Sequence, residues 1–239
     1  MLSIVIICYN IDSRIFILQI EAIRKFCKDE FTIYILDNST DLKLAESIRY
    51  HSERLKVYYK KCNAATSNGS ESHAWAANLS YSLLKGTGSD FFLYLDHDCV
   101  PVQEFSIKEI LGDNFLFAGM GQGKNGITYY WPGLVAWDNK KVDNELIDFS
   151  PITERGLDTG GKLHLAVEKY GKEKCVFFDE AYYQNPYFNG KAYTHYAMIN
   201  KGMFCHLINA SGWNKIEDQE ERINSLINVL QDKTSINVD

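Results

Sequence analysis

The run Phe91-Phe92-Leu93-Tyr94-Leu95-Asp96-His97-Asp98-Cys99-Val100-Pro101 constrains this chain more than any other stretch. Five consecutive apolar or aromatic residues predict a buried strand, which ends on two carboxylates one residue apart. The proline that follows has no N–H with which to continue a ladder. In an extended segment residues i and i+2 point the same way, so Asp96 and Asp98 can converge on one hard divalent ion while His97 points elsewhere. Mg²⁺ or Mn²⁺, held partly by the protein and partly by substrate phosphates, suits two carboxylates better than an all-protein cage. The competing reading is a strand ending in a solvated Asp-rich turn. What weighs against it lies upstream.

Residues 2 to 8 form a nearly continuous β-branched run, closed by Tyr9-Asn10, of the kind buried on both faces of a sheet. From Arg14 to Lys28, Ile15, Leu18, Ile20, Ala22, Ile23 and Phe26 follow a helical rhythm, with Asp12 or Ser13 as the cap. Phe31 to Leu36 is a second strand ending in Asp37-Asn38-Ser39-Thr40. A helix from Leu42 to Tyr50, a strand from Leu55 to Tyr59, a small-residue loop from Cys62 to Ser70 and a helix from about Glu71 to Leu84 lead to Phe91. Alternating strands and helices predict the α/β class, with a parallel, doubly wound sheet and a ligand crevice at the carboxyl ends of its strands. Three of those ends carry groups suited to a nucleotide: Tyr9 and Asn10, then Asp37 and Asn38, then Asp96 and Asp98. Asp37 either caps a helix or accepts hydrogen bonds from a base or ribose. No Gly-x-Gly-x-x-Gly follows the first strand and no Gly-x-x-x-x-Gly-Lys-Ser/Thr occurs, so both familiar phosphate cradles are missing and the metal must handle a pyrophosphate.

Composition narrows the partners. A formal net charge of −6 argues against a nucleic-acid or anionic-membrane surface. Six cysteines, spread singly and without a Cys-x-x-Cys pair, read as free thiols in a reducing, cytoplasmic compartment. The first apolar run lacks a basic region before it and is too short to cross a bilayer, so the expectation is no transmembrane segment.

Taken in order, these features resemble a GT-A fold glycosyltransferase, nearest to the family 2 type: Cys8-Tyr9-Asn10, Leu36-Asp37-Asn38-Ser39, Asn68-Gly69, Ala77-Asn78, Gly88 and Asp96-His97-Asp98. The resemblance covers residues 1 to about 101 and implies a single Rossmann-like mixed sheet flanked by helices. It also implies a domain spanning 1–213, with a nucleotide-binding half (1–101) and an acceptor half (102–213), followed by a helix and tail (214–239). Asp37 and Asn38 would contact the nucleoside, and Asp96 and Asp98 the metal and sugar nucleotide. Where the family often has Ala-Arg-Asn, this chain has Ala76-Ala77-Asn78, so His73 or Lys61 would stand in for the arginine.

In the second half, Phe115 to Met120 leads into Gly119, Gly121, Gly123 and Gly126, which read as a flexible segment near the pocket. Ile127 to Trp137, with Tyr129, Tyr130, Trp131 and Trp137, suits either stacking on a sugar ring or the core. Gly156 to Gly161 precedes an amphipathic helix from Lys162 to Tyr170. Asp158 there is either a helix cap or the general base that takes a proton from an acceptor hydroxyl, with Glu154 as its rival. By the resemblance, a late histidine supplies a third metal ligand: His206, or else His195. A terminal helix from Glu217 to Lys233 puts Ile223, Leu226, Ile227 and Leu230 on one face, for packing on the domain, a homodimer contact or weak membrane docking.

The resulting expectation is a Mg²⁺- or Mn²⁺-dependent glycosyltransferase, inverting, using a nucleotide-diphosphate sugar, with a UDP-sugar first in order. Its acceptor would be a glycan, a lipid-linked sugar or another hydroxyl compound. The alternatives are a sugar-nucleotide nucleotidyltransferase and a non-catalytic nucleotide- or sugar-binding module of the same fold.

Overall fold

The computed structural model describes residues 1–62, 68–188, 195–210 and 218–238. The first half alternates as the pattern predicts: β1 (Leu2–Cys8), α1 (Ser13–Phe26), β2 (Phe31–Asp37), α2 (Leu42–Arg54), β3 (Tyr58–Lys61), α3 (Gly69–Leu84) and β4 (Phe91–Asp96). Each helix starts on a capping side chain: Asp12 accepts from Arg14 N, Asp41 from Lys43 N and Leu44 N, and Asn68 from Ser70 N and Glu71 N. Two boundaries differ from the sequence pattern. α2 runs on to Arg54, with the Ser52 hydroxyl donating to the Ile48 carbonyl inside it, and the chain reverses through Lys56 in the left-handed region before β3 begins at Tyr58.

β1 is buried throughout and lies parallel between β2 and β4, with Ile7 opposite Asp96 and Cys8 opposite Asp37. That register lines up the polar ends of three strands. Beyond β4 come β5 (Cys99–Pro101), α4 (Ile107–Leu111), β6 (Phe117–Lys124), β7 (Ile127–Asp138), α5 (His164–Tyr170), β8 (Cys175–Phe178), β9 (Glu180–Gln184), β10 (His195–Ile199), β11 (Phe204–His206) and α6 (Gln219–Thr234). The main sheet has the order β3-β2-β1-β4-β7-β6-β8, and β7 runs antiparallel to both its neighbours. The result is a seven-stranded, mainly parallel sheet flanked by helices. It is mixed, not wholly parallel. A second sheet, β5-β11-β10-β9, is antiparallel and begins where the chain leaves Asp98.

Of the glycine-rich stretch, Gly119, Gly121 and Gly123 lie in the strand β6 and Gly126 in the turn that joins it to β7. In β6 the register shifts between Gly119 and Gly121. A Cβ at Gly119 would come within 2.3 Å of the Leu134 carbonyl oxygen, so the close approach of β7 requires glycine there.

Alternate residues of β1 feed separate cores on the two faces of the sheet: Leu2, Ile4 and Ile6 on the side of α1 and α6, Val5 and Ile7 on the side of α3 and α5. Fully burying each such side chain contributes roughly 1.5–3 kcal/mol. The aromatic strand β7 belongs largely to the second core, where Trp137 stacks on Phe92 at 5.2 Å and on Tyr94 at 5.3 Å. Tyr129, Tyr130 and Trp137 are buried, so the sugar-stacking reading fails for them. Trp131 is only partly buried. The apolar face of α6 packs on the first core. All six cysteines are free thiols, five of them buried. Among the described residues no helix is long and apolar enough to cross a membrane.

Candidate active site

The carboxyl ends of β1, β2 and β4 lie side by side, where the topology of such a sheet puts a ligand crevice. Asp96 closes β4 and Asp98 leads into β5. β11 pairs with β5 so that His206 stands opposite Cys99, which brings His206 Nε2 to 3.7 Å from Asp98 Oδ1. The Trp131 ring packs on His206, with centroids 4.8 Å apart. His206 is thus the imidazole within ion-pair range of Asp98, whereas His195 lies in β10 opposite Gln184.

Asp96 faces α3. Its Oδ1 lies 2.9 Å from His73 Nε2, an ion-pair distance at an angle short of a good hydrogen bond. Burial alone would raise the Asp96 carboxyl, but the imidazoles of His73, His97 and His206 outweigh it and hold Asp96 below its usual value. For His73, burial works downward and is outweighed by Asp96, then Asp98 and Asp158, so its pKa is raised. His73 therefore feels the charge of both paired carboxylates and of Asp158. Ala77, one turn farther along α3, is fully buried, so a cation at that position would be sealed in the core.

The donors present fit a hard divalent ion shared with a diphosphate: two carboxylates and an imidazole on one rim, with Asp98 and His206 nearly in place. Adjacent oxygen and nitrogen ligands of one octahedral ion at about 2.1 Å lie about 3 Å apart, slightly closer than this pair. Asp96 is turned to His73, and among the described residues no three acidic, histidine or cysteine side chains close around one point.

On the β1 and β2 side, Asn10 adopts positive φ and ties the two strand ends together: its Oδ1 accepts from Thr40 N and Asp41 N, and its backbone N–H donates to Ser39 Oγ. Tyr9 beside it is half-buried. Asp37 is fully buried and its carboxylate is occupied, by Ser39 N at 2.8 Å on Oδ1 and by the Tyr59 hydroxyl at 2.8 Å on Oδ2, with Lys61 Nζ 3.5 Å away. Lys61 also donates to the Ser39 carbonyl. Asn38 donates to Ser72 on α3.

Across the crevice, Asp158 lines a pocket of about 280 Å³ with Asn68, Ser70, Lys124, Thr153 and Gly156. Asp158 is exposed and precedes the short 3₁₀ turn Gly161–Leu163 that leads into α5, so it does not cap a helix in the usual manner. Its Oδ1 accepts from Ser70 Oγ and from Thr159 N. Glu154, on the 3₁₀ turn Thr153–Arg155, is exposed and is not among the pocket walls. Asn78 holds this side to α3, donating to Asp148 and Ser150 and accepting from Phe149 N at 2.9 Å.

Sequence reasoning missed Tyr59, Ser70, Gln19 and Arg222. The last two had a signal: each is a polar residue on the inward face of an amphipathic helix, Gln19 among Ile15, Phe16 and Ile23, and Arg222 among Ile223, Leu226 and Val229.

No family model matches this chain, and no curated protein matches it. Among solved structures it aligns with the mannosyltransferase PcManGT from Pyrobaculum calidifontis in complex with GDP-Man and Mn²⁺, at 12% identity, over 74% of this chain and 54% of that one, with a TM-score of 0.49. It also aligns with the apo-form glycosyltransferase GlyE of Streptococcus pneumoniae TIGR4, at 19% identity, over 73% of this chain and 44% of that one, with a TM-score of 0.43. The chain spans about half the length of these two structures. Both belong to the enzyme class that the sequence resembles, while the fold itself is read from this chain's own strand order and register.

Proposed function

We propose that this chain is a glycosyltransferase that moves a sugar from a nucleotide-diphosphate sugar to a hydroxyl acceptor with the help of Mn²⁺ or Mg²⁺. The observation that carries the reading is the approach of His206, on β11, to within 3.7 Å of Asp98, with Asp96 closing β4 just before it, and a separate carboxylate, Asp158, beside a polar pocket. Asp98 and His206, with Asp96, would hold the cation. When bound, the cation offsets charge on the diphosphate leaving group. Tyr9, Asn10 and Asn38 border the nucleoside. Because the Asp37 carboxylate is filled from within the protein, its part is to hold the Asp37–Ser39 turn and Lys61 in place around the nucleoside. His73 fixes Asp96 and presents its charge toward the diphosphate.

Asp158 accepts the proton of the acceptor hydroxyl as its oxygen bonds to the anomeric carbon and the bond from that carbon to the diphosphate oxygen breaks, with inversion. Hydrogen bonds from Ser70 and Thr159 orient the carboxylate for this role. A nucleotidyltransferase fits less well, since the turn after β1 offers no basic, glycine-rich loop and the Arg14 guanidinium there is held by Asp12 and Asn224. Six free thiols favour a reducing compartment such as the cytoplasm.

The test is release of nucleoside diphosphate from UDP-, GDP-, CDP- and dTDP-sugars with Mn²⁺, with simple sugars added as acceptors. One donor class turned over, and turnover lost in Asp158→Asn, is the expected result. Absence of release with every donor, despite donor binding, would leave the binding-module alternative in its place.

A further inference from the structure

The Asp96–Cys99 turn is held from behind by side chains that never face the crevice. Gln19, in the middle of α1, is fully buried, and its Nε2 donates both to the Asp96 carbonyl at 2.7 Å and to the Cys99 carbonyl at 2.8 Å. Among the described residues its Oε1 has no partner. A buried amide with an unpaired oxygen is a cost that leucine, well suited to a site among Ile15, Phe16 and Ile23, would avoid. The amide is explained by what its nitrogen holds. A second fixture is His97, buried, with Nδ1 3.0 Å from the Ile7 carbonyl.

The His206 side is fixed in the same manner from the next helix. Leu207 N donates to the Asp98 carbonyl at 2.8 Å, tying the chain after His206 to the carboxylate turn. The following carbonyls, of Ile208 and Asn209, accept from the guanidinium of Arg222 on α6, itself fully buried. α1 and α6 are in turn joined, by Arg14 donating to Asn224 at 2.8 Å and Lys25 donating to the Thr234 carbonyl at 2.7 Å.

We infer that Gln19 and Arg222 are positioning residues that set the spacing between Asp98 and His206, acting through backbone carbonyls from two joined helices. This rests on the reading of Asp98 and His206 as cation ligands. Partners that orient metal ligands without touching the metal typically matter 10–100-fold in metal affinity, by order of magnitude. It also gives α6 a part in the site itself.

The test compares wild type with Gln19→Met, which keeps the shape and removes both donors, and with Arg222→Lys, which keeps a charge and loses the fork of two bonds. Mn²⁺ is titrated calorimetrically, well below every melting temperature, into protein holding whichever nucleoside diphosphate binds wild type. Half-saturation should rise about tenfold or more in both variants, while metal-free nucleotide affinity stays put. Ile48→Val, a core change in α2 away from the turn, should leave half-saturation where it was. If Gln19→Met does not fold, Gln19→Asn, still an amide but too short for both carbonyls, replaces it with the same expectation. Unchanged half-saturation in a folded variant, or an equal rise in Ile48→Val, overturns the positioning role alone. Wild-type protein on which Mn²⁺ has no effect overturns the cation site, and the positioning role falls with it.

Discussion

On the β4 side of the crevice, Asp98 is buried and three carbonyls of its turn are held by groups distant in sequence: Gln19 for Asp96 and Cys99, Leu207 for Asp98. On the opposite side Asp158 is exposed, rises from short 3₁₀ turns, and is oriented by its neighbour Thr159 and by Ser70 at the start of α3. The contrast teaches a division of labour. A site for a small ion and a diphosphate needs ligands held to within about 0.5 Å, which buried, cross-linked backbone supplies. A site that receives an acceptor hydroxyl can stand on loops, where walls change without disturbing the sheet.

If the two sides are separable, breaking one should leave the other working. The largest effect is expected from Asp158→Asn, which should lower kcat by about 10²–10⁴ with donor affinity unchanged, in steady-state kinetics alongside calorimetric donor binding. A parallel loss of donor affinity would mean that the sides are not separate.

Asn78→Ala sharpens the comparison in stability. Three hydrogen bonds joining α3 to the 148–150 segment disappear, and the partly buried groups left behind should cost about 1–3 kcal/mol in urea unfolding. The loss should show as a higher acceptor KM before any change in Mn²⁺ dependence.

The smallest effect concerns the link between the sides, the His73–Asp96 pair. His73 is raised, so its contribution is full below about pH 6.5 and is lost as pH climbs through the raised value. Asp96 is lowered, so its contribution is full above about pH 4 and is lost as pH falls through the lowered value. His73→Gln should therefore lower Tm by roughly 2–5 °C near pH 5.5 and by less near pH 9, in melting curves across that range. Equal losses at both pH values would show that the pair is not charged in the folded protein.

The first half of the fold was legible because both faces of β1 are buried and its β-branched run says so, and because helical spacing and a cap such as Asp12 mark where a helix begins. Local chemistry sufficed there. That Gly119 to Gly123 form a strand was not legible, because Gly119 answers to the approach of β7, a contact distant in the fold that composition does not encode. Aromatic Tyr129, Tyr130 and Trp137 offered the same choice of core or sugar platform, and only the position of β7 against β4 decides it. In the site, Asp96 and Asp98 were visible from the strand that ends on them. Pairing of β11 with β5 was not, and it is this pairing that brings His206 to Asp98. The occupied state of the Asp37 carboxylate likewise depends on Tyr59 and Lys61 from the neighbouring strand, which a reading along the chain could not join to it.

A β4 rim that holds a divalent cation on a nucleoside diphosphate should respond to the two ligands together and not to either alone. The most direct measurement is thermal stabilisation by UDP, GDP, CDP and dTDP, each with and without Mn²⁺, on wild type and Asp98→Ala. Ligand that binds only the folded state stabilises it by an amount that grows with the logarithm of its concentration over its dissociation constant, so a base-selective rise in Tm that requires Mn²⁺ and vanishes in Asp98→Ala is expected. A shift of equal size without Mn²⁺, or one retained in Asp98→Ala, would contradict it.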